Sequence, residues 1–303
     1  MEFKPELSVN QSVVINSKHR VELVVKREDL IHPIVSGNKY HKLKFNLEEA
    51  IKRNFNTILT FGGAYSNHIA AVAKAGRIYG LKTIGIIRGE ELRDHVATNP
   101  TLQFAHQSGM QFEFVSREMY RKKNTEEFIT TINSKFGEVY ILPEGGTNTL
   151  AVEGCEGILT DEDKDFDYVC CPVGTGGTIS GVINCSKPSQ QVLGFPALKG
   201  SFLKEDISKF ANKENWKLIL DYHFGGYAKI NTSLISFINQ FKKEQNIPLD
   251  PVYTGKMMYG IFDLIEKGYF SQNAKILAIH TGGLQGIDGM NLKLKAKGWP
   301  LLD

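Results

Sequence analysis

Short apolar runs alternate along most of the chain with segments in which apolar residues recur every three or four positions. The short runs are typical of buried strands, and the periodic segments, such as the one carrying Leu43, Leu47 and Ala50, predict helices packed on a sheet. Strands are predicted at residues 21–25, 57–61, 82–87, 111–115, 139–142, 168–171, 192–195, 216–220 and 274–279. Helices are predicted from about 39, at 69–80, around 102–105, at 126–136, after 148, after 178, and at 230–240 and 257–266.

Strands that alternate with helices at this spacing predict an α/β fold whose mostly parallel sheet is covered on both faces. In such sheets ligands bind beyond the carboxyl ends of the strands. The loops that follow the predicted strands are the glycine-rich ones. A binding site is therefore expected along that edge.

Composition narrows the class of protein. The chain has 303 residues, of which 42% are hydrophobic and 23% charged, as in a globular protein of one large unit or two subdomains. The net charge of +3 is scattered, so no nucleic-acid partner is expected. No apolar run is long enough to span a membrane, and the first residues lack the apolar core of a signal peptide, so we expect a cytoplasmic protein.

The four cysteines form no CxxC pair. Cys170 and Cys171 lie in an apolar run that predicts a buried strand, so reduced core thiols are expected. No Cys/His spacing resembles a zinc site, and no metal is expected.

The segment Ser36-Gly37-Asn38-Lys39-Tyr40-His41-Lys42-Leu43 follows the first strand and opens a helix. A helix N-terminus and a second lysine, Lys42, both disfavour an ammonium on Lys39. A partly neutral lysine can form a Schiff base with a carbonyl. The alternative is a pair of solvated lysines on a surface helix.

Two glycine-rich turns also begin helices. Gly174-Thr175-Gly176-Gly177-Thr178 offers backbone N–H groups, hydroxyls and a helix N-terminus, which suit a phosphate. It is not the GxGxxG fingerprint, because Ile179 replaces the third glycine, and it equally fits a ligand-free tight turn. In the second turn, Ser66, Asn67 and His68 suit a carboxylate, although Ser66 is equally suited to cap the helix and His68 to lie exposed in a loop.

A Schiff-base lysine beside an anion cradle suggests pyridoxal phosphate as cofactor. At this point the ordered motifs closely resemble the 1-aminocyclopropane-1-carboxylate deaminase and D-cysteine desulfhydrase family. The motifs that carry the resemblance are Lys26-Arg27-Glu28-Asp29-Leu30, Gly37-Asn38-Lys39 with Lys42-Leu43, Gly62-Gly63 with Ser66-Asn67-His68, Thr175-Gly176-Gly177-Thr178, Pro251-Val252-Tyr253 with Gly255-Lys256, and His280-Thr281-Gly282-Gly283.

The resemblance implies a tryptophan synthase β-like fold, with two three-layer αβα domains and mostly parallel sheets. It implies a large cofactor-binding domain formed by residues 1–44 and 151–303, with a small mobile domain, 45–150, inserted between them. A homodimer is the family expectation.

The resemblance also implies roles for single residues. Lys39 resembles the Schiff-base lysine, and Lys42 resembles a second lysine near the phosphate. Ser66 matches a serine of substrate binding or proton transfer, and Asn67 matches an amide that binds the cofactor's phenolic oxygen. The remaining expected residues are Gly174, Thr175, Gly176, Gly177 and Thr178 as the phosphate loop, Tyr253 and Tyr227 as active-site tyrosines, and His68 at the substrate carboxylate.

Two positions bear on the substrate. The family's cyclopropane deaminases carry Glu and Leu where this chain has Thr254 and Thr281, and small hydroxyls there resemble the D-cysteine desulfhydrases. The chain departs from both groups at Tyr65, where Gln is usual, and at His41, where Arg is usual.

The resemblance implies a lyase of small amino acids, with D-cysteine as the leading substrate. The alternatives are a cyclopropane deaminase, another small-amino-acid deaminase or racemase, and a catalytically silent protein that binds the cofactor or an amino acid.

Overall fold

The computed structural model describes residues 3–200 and 202–303. Its strands are β1 (Asn10–Val13), β2 (Val21–Lys26), β3 (Thr57–Gly62), β4 (Lys82–Arg88), β5 (Met110–Val115), β6 (Tyr140–Leu142), β7 (Tyr168–Val173), β8 (Gln191–Pro196), β9 (Trp216–Leu218) and β10 (Ala274–Ile279). Its α-helices are α1 (Asn38–Lys52), α2 (Asn67–Tyr79), α3 (Pro100–Gln107), α4 (Arg117–Arg121), α5 (Glu126–Phe136), α6 (Thr149–Glu156), α7 (Gly177–Cys185), α8 (Phe202–Ser208), α9 (Thr232–Gln245), α10 (Thr254–Glu266) and α11 (Gly286–Ala296).

The larger sheet has six strands in the order β1-β2-β10-β7-β8-β9. Only β1 is antiparallel to its neighbour, and the other pairs are parallel. Strand β7 is almost wholly buried, because apolar clusters lie on both faces of the sheet. Cys170 and Cys171 lie in this strand, and all four cysteines are unpaired, as expected for core thiols.

The smaller sheet has four parallel strands in the order β5-β4-β3-β6. Its two faces bury separate clusters, because successive side chains of a strand point to opposite sides. Ile58 of β3 belongs to one cluster, and Leu59 and Phe61 belong to the other. The prediction of an α/β fold with mostly parallel sheets is confirmed.

The predicted boundaries differ from the structure in a few places. The strand predicted at 216–220 ends at Leu218, and a 3-10 turn begins at Leu220. The helix predicted at 230–240 runs over 232–245 instead, because Asn231 caps its start. Strand β1 and helices α4, α8 and α11 had no prediction. Three of the four residues of β1 are polar, so this edge strand gives no apolar run.

Within the described residues, no helix is both long enough and apolar enough to cross a lipid bilayer. The domain boundaries given above, and the mobility of the smaller domain, stay predictions. Helix α1 runs through the predicted boundary at residue 44, and its Leu47 and Ala50 pack in the core of the smaller sheet.

Three neighbouring parallel strands of the larger sheet, β2, β10 and β7, end at the same edge. The segment that leads to Lys39 follows β2, the segment with Thr281 follows β10, and the Gly174–Thr178 loop follows β7. The approach is close at Gly37, where a Cβ atom would lie 2.2 Å from the carbonyl carbon of Thr281. The strand order therefore assembles segments that are far apart in the sequence.

Candidate cofactor and substrate site

Lys39 lies in the first turn of α1, after Gly37, which has φ +55°. Its Nζ donates to Asn38 Oδ1 at 2.9 Å. Burial and, second, the charge of Lys42 lower the pKa of Lys39 to about 7. This direction agrees with the predicted partly neutral lysine, although burial contributes more than the two causes given for it.

Lys42 is buried, so the reading of two solvated lysines is wrong. Its Nζ donates to the carbonyl oxygen of Gly145 and to Thr147 Oγ1, each at 3.0 Å, and reaches Thr175 Oγ1 at 3.5 Å. Burial lowers the pKa of Lys42. This amine therefore lies between the loop after β6 and the glycine-rich loop after β7.

The Gly174–Thr178 loop leads directly into α7. Gly176 has φ +86°, and a Cβ on Gly177 would lie 2.8 Å from Thr147 Oγ1, so both positions favour glycine. The first N–H groups of a helix have no partner within it and attract anions. Asn38 Nδ2 donates to Thr178 Oγ1 at 2.8 Å and so ties this loop to the start of α1.

Ser66 and Asn67 lie where α2 begins. Ser66 Oγ accepts from the Ile69 amide at 3.4 Å, so the capping role expected for serine is present. Asn67 Nδ2 donates to the carbonyl oxygen of Gly283 at 3.3 Å, which links α2 to the segment after β10. Its Oδ1 is buried and has no hydrogen-bond partner within residues 3–200 and 202–303.

His68 is buried, so the alternative of an exposed loop histidine is wrong. Its Nε2 and Thr60 Oγ1 are 2.8 Å apart, and its buried Nδ1 finds no partner in the described part of the chain. Burial, followed by the charges of Lys39 and Lys42, holds the pKa of His68 well below its usual range. A neutral imidazole therefore lies near the two lysines.

Tyr253 and Tyr227 lie together, with ring centroids 6.3 Å apart. A Cβ on Gly174 would lie 3.1 Å from Tyr253 Cε1, which places this ring against the glycine-rich loop. Burial, and then the neighbouring Tyr227 and Asp250, raise the pKa of Tyr253 well above its usual range. Tyr253 is therefore a protonated hydroxyl at neutral pH.

Thr254 is fully buried at the start of α10. Its Oγ1 donates to Asp250 Oδ2 at 2.7 Å, and the same carboxylate accepts from the amides of Val252, Tyr253 and Thr254. Thr281 is also buried, beside Gly37. The hydroxyl of Thr254 is thus engaged by a carboxylate that the sequence did not single out.

The two unusual residues each have a defined contact. His41 Nε2 lies 2.5 Å from Glu28 Oε2, and both side chains are buried. Tyr65 packs against α11, where a Cβ on Gly289 would lie 2.5 Å from Tyr65 Cδ1. His41 therefore links α1 to Glu28 in the segment after β2, whereas Tyr65 lies on the turn before α2.

Sequence reasoning missed Asn38, Thr147 and Asp250 as contributors to this site. Asn38 and Thr147 belong to segments that follow strands, which was the available signal. Asp250 follows no strand directly, and only the fold brings it near Lys39. The negative charge of Asp250 raises the pKa of Lys39 and so opposes the effect of burial.

The residues present fit pyridoxal phosphate. The cofactor needs an amine for its aldehyde and an anion cradle for its phosphate. Lys39 would provide the amine, and the Gly174–Thr178 loop with Lys42 would provide the cradle. The orphaned Oδ1 of Asn67 is a buried polar atom that is free to contact a ligand.

The fold and this site define a pyridoxal-phosphate enzyme of the tryptophan synthase β-like class. The family model described as "Pyridoxal-phosphate dependent enzyme" matches residues 10–282. The chain belongs to this family, and pyridoxal phosphate is its cofactor.

Individual relatives agree with this assignment. The chain is 30% identical, over 290 residues, to a Pyrococcus furiosus protein whose name proposes 1-aminocyclopropane-1-carboxylate deaminase activity; the match covers 88% of this chain and 85% of that one. It is 28% identical to the mitochondrial bifunctional D-cysteine desulfhydrase/1-aminocyclopropane-1-carboxylate deaminase of Arabidopsis thaliana, covering 88% and 73% of the two chains. A crystal structure of an ACC deaminase homologue superposes with a TM-score of 0.79 at 27% identity, covering 91% and 88%.

Proposed function

We propose that this enzyme is a lyase that removes hydrosulfide from D-cysteine and releases pyruvate and ammonia. The observation that carries the substrate choice is the pair of small, buried hydroxyl residues Thr254, at the start of α10, and Thr281, which lies against Gly37 before α1. The cyclopropane deaminases that the sequence resembles carry Glu and Leu there. The printed name of the Arabidopsis relative also includes D-cysteine desulfhydrase.

The site residues take the following roles in this proposal. Bound pyridoxal phosphate supplies an electron-withdrawing ring that accepts the electrons left when Cα loses its proton. Lys39 holds the cofactor through its amine and, once released, takes the Cα proton, because its lowered pKa leaves much of it neutral at pH 7. Lys42, Gly174, Thr175, Gly176, Gly177 and Thr178 hold the phosphate.

The substrate carboxylate binds at the start of α2, where the helix N-terminus favours an anion. Ser66, Asn67 and His68 lie around this position, and Asn67 also contacts the cofactor. Tyr253 stays protonated and donates a hydrogen bond to the sulfur, which departs as hydrosulfide, while Tyr227 packs beside it. Thr254 and Thr281 would place neutral hydroxyl residues, rather than Glu and Leu, near the cofactor ring. Water would then convert the eliminated product to pyruvate and ammonia.

A second candidate is 1-aminocyclopropane-1-carboxylate deamination, which the names of the Pyrococcus and Arabidopsis relatives favour. Release of 2-oxobutanoate from 1-aminocyclopropane-1-carboxylate separates it from sulfide release. Deamination or racemisation of another small amino acid on the same scaffold is tested with a panel of such substrates. A silent binding protein would show no turnover with any of them.

The first experiment records the visible absorbance of the purified holoenzyme before and after D-cysteine is added, with sulfide and pyruvate followed in the same tube. A shifted band together with both products supports the proposal. A shifted band without sulfide retains the cofactor site and overturns the D-cysteine assignment. We also propose a cytoplasmic homodimer, which light scattering and cell fractionation test.

A further inference from the structure

The turn Gly63–Ser66, which leads into α2, lies between two cations from different parts of the chain. Arg88, the last residue of β4, places Nη2 3.7 Å from the position that a Cβ on Gly63 would occupy. Lys293 of α11 lies over the ring of Tyr65, with Nζ 4.3 Å from the centroid. Two positive charges therefore approach the turn that carries Ser66.

These charges are not neutralised locally. Within residues 3–200 and 202–303, no carboxylate oxygen lies within 4.0 Å of the cationic nitrogens of Arg88, Lys293 or Lys229. Burial, and then the positive charges of Lys229 and Lys297, lower the pKa of Lys293. Like charges that gather without counter-ions attract anions.

Arg88 is held in place while its hydrogen-bonding groups stay available. Its guanidinium carbon lies 5.6 Å from the centroid of the Tyr120 ring. Stacking on an aromatic face leaves the N–H edges of an arginine free for a planar anion. The neighbouring carboxylate, Glu144, which follows β6, is already 3.2 Å from Lys123 Nζ.

The charge of Arg88 also acts on Tyr227. Burial raises the pKa of Tyr227 in the loop before α9, and the charge of Arg88 opposes that rise. The charge of Arg88 therefore acts on Tyr227 as well as on the turn before α2, which its guanidinium approaches directly. A substrate held at Ser66 and Asn67 lies within this field.

We propose that Arg88, assisted by Lys293, binds an acidic group on the side chain of the amino-acid substrate. This rests on the proposed function, in which the start of α2 already holds the α-carboxylate. The substrate class then consists of small amino acids whose side chains carry an anionic or ionisable group. Cysteine belongs to this class, because its thiol has a pKa of about 8.5.

Aspartate and asparagine test the inference, because they have nearly the same size and differ in charge. Dissociation constants of the holoenzyme for the D and L forms of each are measured by calorimetry and by the shift of the cofactor's visible band. We expect the favoured enantiomer of aspartate to bind about tenfold or more tightly than the matching asparagine. Arg88→Gln should reduce that ratio to near one while changing asparagine binding by less than about twofold.

Arg53→Gln is the matched control. Arg53 is also an exposed arginine stacked on an aromatic ring, 5.0 Å from the centroid of Phe55, but it lies at the far end of α1. This variant should keep the aspartate preference. Lys293→Gln should lower the preference partly, and added salt should weaken it in the unmodified enzyme, because exposed charges are screened.

Three outcomes would overturn the inference: no aspartate preference in the unmodified enzyme, an unchanged preference in Arg88→Gln, or an equal loss of both ligands, which would assign Arg88 to the α-carboxylate. Should Arg88→Gln fail to fold, Arg88→Lys and Lys293→Gln decide, and a full preference in both overturns it. Sulfide release from D-cysteine, followed separately, tests the proposed function. Sulfide without an aspartate preference overturns only this inference, and the reverse overturns only the D-cysteine assignment.

Discussion

Asn38 donates a hydrogen bond to Thr178 across 140 residues of sequence, at 2.8 Å. Its side-chain oxygen accepts from Lys39 Nζ at the same time. One amide therefore orients the Lys39 amine and ties the start of α1 to the glycine-rich loop. The distance between these two ends of the site is set by this residue as well as by the sheet.

Replacing Asn38 by Ala should weaken cofactor binding without abolishing it. The loss of a hydrogen bond worth about 1 kcal/mol corresponds to a roughly fivefold higher dissociation constant for pyridoxal phosphate. Titration of the cofactor-free protein, followed by absorbance, measures it. Asn231→Ala is the control, because Asn231 caps α9 through its own side chain and should lower stability only. Equal cofactor affinity in Asn38→Ala and the unmodified protein would refute the linking role.

Lys39→Ala should lower turnover by about three orders of magnitude or more, since residues of a catalytic unit have effects of this size. Weak cofactor binding should remain, because Lys42 and the glycine-rich loop are unchanged. Lys44→Ala removes an exposed lysine from the same helix and should leave turnover intact. Turnover in Lys39→Ala that matches the control would remove Lys39 from the mechanism.

The lowered pKa of Lys39 predicts unusual reactivity in the cofactor-free protein. A lysine amine reacts in its neutral form. Because the pKa of Lys39 is about 7, its neutral fraction increases around neutral pH, whereas that of an ordinary lysine increases at roughly pH 10.4. Modification by trinitrobenzenesulfonate, mapped by mass spectrometry at several pH values, should therefore show an early midpoint at Lys39. The hydrogen bond to Asp263 raises the pKa of Lys267, so this lysine should react only at higher pH.

Lys42→Met sharpens that experiment. The charge of Lys42 is the second cause of the lowered pKa, so its removal should move the Lys39 midpoint upward. The midpoint should stay below that of an ordinary lysine, because burial remains. A midpoint that does not move would mean that the two amines are not electrostatically coupled.

Gly37→Ala should destabilise the fold more than Gly80→Ala does. Both glycines have positive φ, which costs an alanine about 1–2 kcal/mol. A Cβ on Gly37 would also lie 2.2 Å from the backbone of Thr281, whereas nothing lies within 4 Å of one on Gly80. Denaturant unfolding of both variants gives the comparison. Equal losses of unfolding free energy would show that the approach of α1 to the Thr281 segment is not tight.

The sequence predicts the alternation of strands and helices well, because buried parallel strands and their covering helices have distinct apolar periods. It also singles out Lys39, since a glycine, a helix start and a second lysine lie within a few residues, and the bond of this lysine to the cofactor stays a prediction. The lowered pKa owes most to burial, however, and burial is a property of the assembled fold.

Asp250 and Arg88 show the limit more directly. Asp250 meets Thr254 four residues away, but its proximity to Lys39 requires the whole larger sheet. Arg88 is an exposed residue at a strand end, with no local pattern to mark it. Its neighbours Gly63 and Tyr120 follow other strands, so only the strand order reveals the contact.

Strand β10 lies between β2 and β7 in the larger sheet. During synthesis the ribosome makes the lysine segment, the whole smaller sheet and the glycine-rich loop before it makes this central strand. All strands of the smaller sheet lie within residues 57–142, so they can pair with one another early in synthesis. The predicted cofactor site forms later, because β2 and β7, which lead to the lysine segment and the glycine-rich loop, are joined only when residues 274–279 emerge. Cofactor binding is therefore expected among the last events in the maturation of each new chain, and chains that end before β10 should not bind the cofactor.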